Sequence, residues 1–242
     1  MSSALPEMRQ AIAGDLRRRG LTRERVIALA LQLLDLGYFR SGSEQYAEEN
    51  NSFGLATLQC DHVTLHPGGV EFDYPAKSGV RRTLLVEDPE VVRSVRALLR
   101  RPNRTERLLV CRNGTGWTDI HADDLNTRFK ELVGDEYTVK DLRTWHGTVL
   151  AAAAFVDADP PADNAVVKRV TSAVMKEVAE ELGNTPAVTR GSYVDPRVVE
   201  GYQCGLTIAA AARRSARTRA SAMRQEILDR ATARLIRKVA KC

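Results

Sequence analysis

Val70-Glu71-Phe72-Asp73-Tyr74-Pro75-Ala76-Lys77-Ser78-Gly79-Val80-Arg81-Arg82-Thr83-Leu84-Leu85-Val86 is a period-two stretch broken by a Lys-Ser-Gly turn. Alternation is strand spacing and the break is turn chemistry, so the stretch predicts a β-hairpin. Upstream, Leu55 and Thr57 and then residues 62–66 keep the same period, and Pro67-Gly68-Gly69 supplies a second turn. Residues 54–87 are therefore expected to form a small antiparallel meander.

Around the meander the pattern is helical. Residues 6–19 close at Gly20, and residues 23–36 close at Gly37 with Val26, Ile27, Ala30, Leu33 and Leu34 on one face. Residues 43–50 read as a short polar helix. After the meander, Asp88-Pro89 opens a helix that runs to about 101, before Pro102. A strand-like run at 108–111 leads to a helix at 122–132. Thr138 with Asp141 makes a capping-box-like start for the helix that carries Lys140 and Arg143 to Phe155. Residues 164–182 form a longer helix ending at Gly183, and Thr185-Pro186 starts a short one leading to Tyr193. Asp195-Pro196 interrupts again, and the linker at 157–163 is expected to be the most mobile loop. The expected fold class is mainly α with a small embedded antiparallel β-sheet (α+β).

The chain has 242 residues, 43% of them hydrophobic, enough for a real core in one large or two small domains. It has no run of eighteen apolar residues and no charged-then-apolar leader, so a cytoplasmic protein with no membrane partner is expected. The cysteines (Cys60, Cys111, Cys204, Cys242) and histidines (His62, His66, His121, His146) show no metal-ligand spacing, and neither glycine-rich nucleotide signature is present. No metal and no cofactor is expected. Residues 201–242 hold ten Lys or Arg against Glu226 and Asp229, so that segment carries +8 and the rest −3, given a total of +5. A basic helical tail on a near-neutral body suggests a polyanion such as nucleic acid, although an Ala/Arg-rich helix also reads as a solvated one.

Arg40, Lys77, Arg143, Asn184 and Tyr193 stand beside structure breaks, and singly each has an ordinary structural reading. Their surroundings change that. Phe39-Arg40-Ser41-Gly42-Ser43-Glu44-Gln45-Tyr46-Ala47-Glu48-Glu49-Asn50, followed by Gly54-Leu55-Ala56-Thr57-Leu58, resembles the first active-site block of the type IB DNA topoisomerases. Lys140-Asp141-Leu142-Arg143-Thr144-Trp145 resembles their second. The segment from Leu182-Gly183-Asn184-Thr185-Pro186 to Tyr193-Val194-Asp195-Pro196 has the closing block's form. Three blocks in order, spanning about 5–196, with a hairpin lysine between the first two, are far more specific than any one.

The resemblance implies the type IB topoisomerase and tyrosine recombinase catalytic fold. It places catalytic arginines at Arg40 and Arg143, a general acid at Lys77, a third phosphate contact at Asn184 and the nucleophile at Tyr193. The chain as a whole resembles the bacterial, poxvirus-like branch; many members, viral and eukaryotic, have histidine at the Asn184 position, and asparagine there resembles the bacterial ones, both side chains donating a hydrogen bond but only histidine titrating near neutrality. Lys140 is a second candidate for proton relay or phosphate contact, and equally a first-turn helix lysine. Tyr46, Thr57 and Arg190 lie in blocks that touch DNA in the family.

The implied reaction relaxes supercoiled duplex DNA through a 3′-phosphotyrosyl ester, without metal or ATP. Neighbouring cations are expected to favour the lysine's acid role, and no residue is assigned as base for the phenol. Tyr193, between Gly191 and Pro196, is expected to be out of position until DNA arrives. A β-rich N-terminal domain, usual in the family, is expected to be absent, so salt-sensitive, weakened DNA binding is expected. The expected organisation is a catalytic domain at 1–200 and a basic tail at 201–242, in a monomer associated with the nucleoid. A tyrosine recombinase is the nearest alternative, but its H-x-x-R is replaced by Lys140-Asp141-Leu142-Arg143; a catalytically silent DNA-binding module is the other.

Overall fold

A computed structural model describes residues 1–240 apart from Tyr38, Ser43, Gln45, Tyr46, Glu48, Asn50, Asn103 and Arg104. The chain divides into two compact units, one of residues 3–140 and one beginning at Asp141. The expected helix at 43–50 falls largely outside the described residues.

In the first unit, α1 (Leu5–Leu16) and α2 (Arg23–Asp35) pack through Leu5, Met8, Ile12 and Leu16, which recur every three or four residues and are buried. Arg9 grips Asp35 with two hydrogen bonds of 2.7 and 3.0 Å. Thr22 caps α2 by accepting from Arg25 N. Helix α1 stops three residues short of the expected end because Arg17 N and Arg18 N turn to Gly14 O and Asp15 O, tightening the last turn.

Strands β1 (Val63–Leu65), β2 (Val70–Pro75) and β3 (Arg81–Val86) form an antiparallel sheet in that order, with Val63 opposite Phe72 and Tyr74 opposite Arg82. Val70, Phe72 and Tyr74 face the core, as the alternation requires. The expected meander is shorter than 54–87, since 55–57 and 60–62 are 3₁₀ turns. Thr57 Oγ1 accepts from Gly54 N at 3.0 Å, and His62 Nδ1 accepts from Gln59 N at 3.1 Å. Such local bonds offer the main chain an alternative to a sheet ladder.

Helix α3 (Pro89–Leu99) is capped by the Asp88 carboxylate and buries Val91, Val95 and Leu98. The single expected strand near 108–111 is one arm of a hairpin, β4 (Val110–Asn113) with β5 (Gly116–Asp119). Helix α4 (Ala122–Val133) follows.

Helix α5 (Val139–Ala154) crosses the unit boundary in its first turn. The second unit contains the rest of α5, α6 (Asn164–Leu182), α7 (Pro186–Ser192), α8 (Pro196–Gln203), α9 (Ala209–Ala216) and α10 (Ser221–Val239). One core unites Ala151, Ala152 and Phe155 of α5, Val174 and Val178 of α6, Val198 and Tyr202 of α8, and Leu235, Ile236 and Val239 of α10. The division expected at residue 200 is therefore replaced. Apolar residues three and four apart draw α10 into the core, while Arg230, Arg234, Arg237 and Lys238 stay exposed on its other side. Trp145 Nε1 donates to the buried Asp229 at 2.9 Å, tying α5 to α10. The linker expected to be mobile is anchored, with the Tyr202 hydroxyl donating to Asp159 O and Arg169 paired to the Asp159 carboxylate.

Among the described residues no helix is long and apolar enough to cross a membrane.

Candidate active site

Arg40 and Lys77 belong to the first unit. Phe39 anchors the Arg40 loop: its ring is buried, edge-on to Phe72 at 5.0 Å and stacked on Tyr74 at 6.1 Å. The loop then pairs with the turn that follows the first block, Leu55 N donating to Arg40 O at 2.8 Å and Ala56 N to Ser41 O at 2.7 Å. Glycine is needed on both sides of that approach, because a Cβ on Gly54 would lie 2.4 Å from Gly42 Cα. The same turn reaches β2, since Phe53 N donates to Pro75 O at 2.7 Å. Lys77 follows two residues later, exposed in the β2–β3 connection that Ala76 N closes onto Val80 O. Residues 53–55 thus tie the arginine loop to the lysine hairpin.

Arg143, Asn184 and Tyr193 belong to the second unit. Arg143 is 6% exposed on α5 and donates to Leu182 O, one of the carbonyls left over at the C-terminus of α6. Its guanidinium carbon lies 5.6 Å from the centre of the Tyr193 ring, a cation–π arrangement. The Tyr193 ring thus lies beside one of the two expected catalytic arginines. Asn184 is placed by the end of α6: Gly183 takes the left-handed conformation (φ 59°, ψ 48°), and Asn184 N returns to Ala179 O at 2.8 Å. This is the Schellman closure that glycine permits at no steric cost. Thr185 caps α7, whose last turn leads into Tyr193, with Tyr193 N donating to Thr189 O at 3.0 Å.

Beyond the tyrosine, Asp195 caps α8 by accepting from Arg197 N at 3.0 Å. Burial pushes the Asp195 carboxyl up, but the Arg197 side chain and main-chain N–H outweigh it and hold the group below the ordinary aspartate range. In the first unit His62 packs edge-on against Phe53 at 4.4 Å, and burial pushes its pKa down.

Among the other candidates, Lys140 is exposed in the first turn of α5 and Arg190 is exposed in the last turn of α7. Tyr46 lies outside the described residues. Thr57 is 1% exposed with its hydroxyl engaged at Gly54, so it braces the Arg40 turn instead of presenting a group to a duplex. Thr144, Gly147 and Thr148, to which the sequence alone assigns no role, touch the main chain of residues 192–195; Thr144 stands in the second block and Gly147 is a glycine inside a helix, and those are their signals. Among the described residues there is no cluster of three metal-ligating side chains.

Mostly helical units, the first with small antiparallel sheets and the second with a helix arginine over a tyrosine ring, belong to a class that comparison with known proteins identifies. The chain belongs to the family described as eukaryotic DNA topoisomerase I, catalytic core, whose model matches residues 1–220. It is 27% identical over 206 residues to DNA topoisomerase 1B of Acanthamoeba polyphaga mimivirus, covering 83% of this chain and 61% of that protein. It is 29% identical over 150 residues to DNA topoisomerase 1 of Schizosaccharomyces pombe, and 26% over 144 residues to DNA topoisomerase 1 beta of Arabidopsis thaliana. Those matches cover 61% and 59% of this chain but 17% and 15% of the relatives. The chain thus spans about three-fifths of the viral relative and under a fifth of the two eukaryotic ones.

Proposed function

We propose that the chain carries the catalytic part of a type IB DNA topoisomerase and relaxes supercoiled duplex DNA by transient single-strand cleavage. The observation that carries this reading is the Arg143 guanidinium over the Tyr193 ring, in a chain matched to the topoisomerase I catalytic core over residues 1–220.

The chemistry follows from the residue types. A phosphodiester resists attack because it is anionic, and forked guanidinium donors neutralise the charge that grows on its oxygens in the transition state. Arg40 and Arg143 supply those donors, and the Asn184 amide donates to a non-bridging oxygen. The Tyr193 hydroxyl oxygen attacks phosphorus in line, its proton passing to water, and the bond from phosphorus to the 5′-oxygen breaks. Lys77 gives that oxygen a proton as it leaves, which spares the reaction an alkoxide. One phosphodiester is exchanged for another, so resealing by the 5′-hydroxyl needs no ATP, and the cations do the electrostatic work a metal does elsewhere.

Arg190 on α7 suits a flanking phosphate, with Lys140 a further proton-relay or phosphate contact and Tyr46 a backbone contact. The partner is duplex DNA, the working species a monomer, and the location that of the DNA, the nucleoid of a cytoplasm. Most affinity is electrostatic and falls with salt.

The test is relaxation of supercoiled plasmid at low salt in excess EDTA without ATP, with wild type beside Tyr193→Phe. Relaxation by wild type alone is the expected result. Relaxation by both, or by wild type only when magnesium is restored, contradicts the reading.

A further inference from the structure

We propose that one face of α5 is a seat for the main chain around Tyr193, with Gly147 and Thr148 as positioning residues for the attack. The inference rests on Tyr193 being the nucleophile and says what sets its position.

Three residues of α5, spaced i, i+3 and i+4 and so on one face, meet residues 192–195 in order. Thr144 Oγ1 donates to Ser192 O at 3.4 Å. Gly147 lies beneath Tyr193 itself: a Cβ there would stand 2.4 Å from Tyr193 O and 3.2 Å from Tyr193 C. Thr148 Oγ1 accepts from Asp195 N at 3.1 Å and donates its own proton to Thr144 O at 2.9 Å, which fixes the direction of its lone pairs. Arg143, the residue before Thr144, reaches the Tyr193 ring from the same helix.

One rigid element therefore carries both the charge that meets the phosphate and the surface against which the nucleophile's main chain is registered. With Tyr193 O against Gly147 and Asp195 N bound to Thr148, only the tyrosine side-chain torsions remain to align the phenol. Reacting groups must be held near 3–3.5 Å and in line, and an error of about 1 Å costs on the order of 100-fold in rate. Alanine at 147 imposes an error of that size. Its methyl meets a main-chain carbonyl, not a yielding side-chain tip, and ordinary contact begins at 3.4 Å against the 2.4 Å available, so Tyr193 shifts by about 1 Å.

The test is single-turnover cleavage of a nicked suicide duplex in EDTA by the full chain, with duplex affinity and thermal melting measured in parallel. Gly147→Ala is expected to cleave about 100-fold more slowly while binding the duplex as wild type does. Thr148→Val is expected to lose about tenfold and Thr148→Ser to recover most of it, since serine keeps the acceptor for Asp195 N. A folded Gly147→Ala protein that cleaves within about threefold of wild type, or that loses affinity in step with rate, overturns the seat. If Gly147→Ala does not melt cooperatively, the Thr148 pair decides, and equal rates for valine and serine overturn it. Absence of a wild-type adduct, or its persistence in Tyr193→Phe, overturns the nucleophile assignment and the seat with it; the other outcomes leave Tyr193 in place and judge the seat alone.

Discussion

Asn184 sits where a main-chain closure places its backbone. Gly183 in the left-handed region and the bond from Asn184 N to Ala179 O fix its Cα, so a change of side chain there alters the donor and leaves the turn intact. Asn184→Ala is predicted to slow cleavage about tenfold through loss of one phosphate donor. Asn184→His is predicted to restore the donor and add a dependence on pH near 6.5 that wild type lacks, because imidazole titrates there and an amide does not. Rate–pH profiles of the three proteins check both statements. Arg143, Asn184 and Tyr193 stand out as candidates in the sequence only through the blocks around them, since each residue type alone has an ordinary structural reading. Thr144, Gly147 and Thr148 do not stand out, because they act on the main chain, which no residue type advertises. Only the cost of a mid-helix glycine, about 0.5–1 kcal/mol relative to alanine, hinted that Gly147 has a purpose. Thr57 was misplaced among the DNA contacts because a local hydroxyl-to-backbone bond cannot be told from an outward one in a string of letters.

At the scale of elements, the entry to α8 has a pH dependence of its own. The folded Asp195 carboxyl titrates below its unfolded value, so its contribution to stability is fully present above the ordinary aspartate pKa near 4 and is lost as pH falls through the depressed folded value. Asp195→Ala is predicted to cost about 1 kcal/mol at neutral pH, as for other helix caps. The gap from wild type should narrow as pH drops below about 4, where the wild-type carboxylate protonates too. Thermal melting of both proteins between neutral pH and acid reads this directly; a gap that stays constant contradicts it. Punctuated helices are legible: Gly183 and Thr185 mark the end of α6 and the start of α7 in the letters as in the fold, whereas the Thr22 cap of α2 shows only in the structure. Unpunctuated or locally bonded segments were read poorly. The 3₁₀ turns at 55–57 and 60–62 fall where alternation predicts strand, and β5, with Trp117 as its one large apolar residue, carries too little apolar pattern to predict.

At the scale of the molecule, the basic C-terminal segment is core first and charge second. Its net charge drew attention to the arginines, while the spacing of Leu235, Ile236 and Val239, which decides where the helix goes, is weak against a background of alanine and arginine. Ending the chain before Ser221 is predicted to abolish cooperative melting of the second unit, because Tyr202, Val198 and Trp145 lose the surface that covers them. Replacing the exposed Arg234, Arg237 and Lys238 by glutamine is predicted to leave melting within about 0.5 kcal/mol of wild type, as surface changes usually do. Calorimetry of the two variants separates the roles; a truncated protein that melts like wild type contradicts the packing assignment.

The most direct test of the central claim is to trap the covalent complex on a suicide duplex in EDTA, digest it, and locate the nucleotide-bearing residue by mass spectrometry. A single adduct is expected, on the peptide containing Tyr193, joined to the 3′-phosphate of the cleaved strand. An adduct on another residue, linkage to a 5′-phosphate, or cleavage that leaves no covalent bond to protein would contradict it.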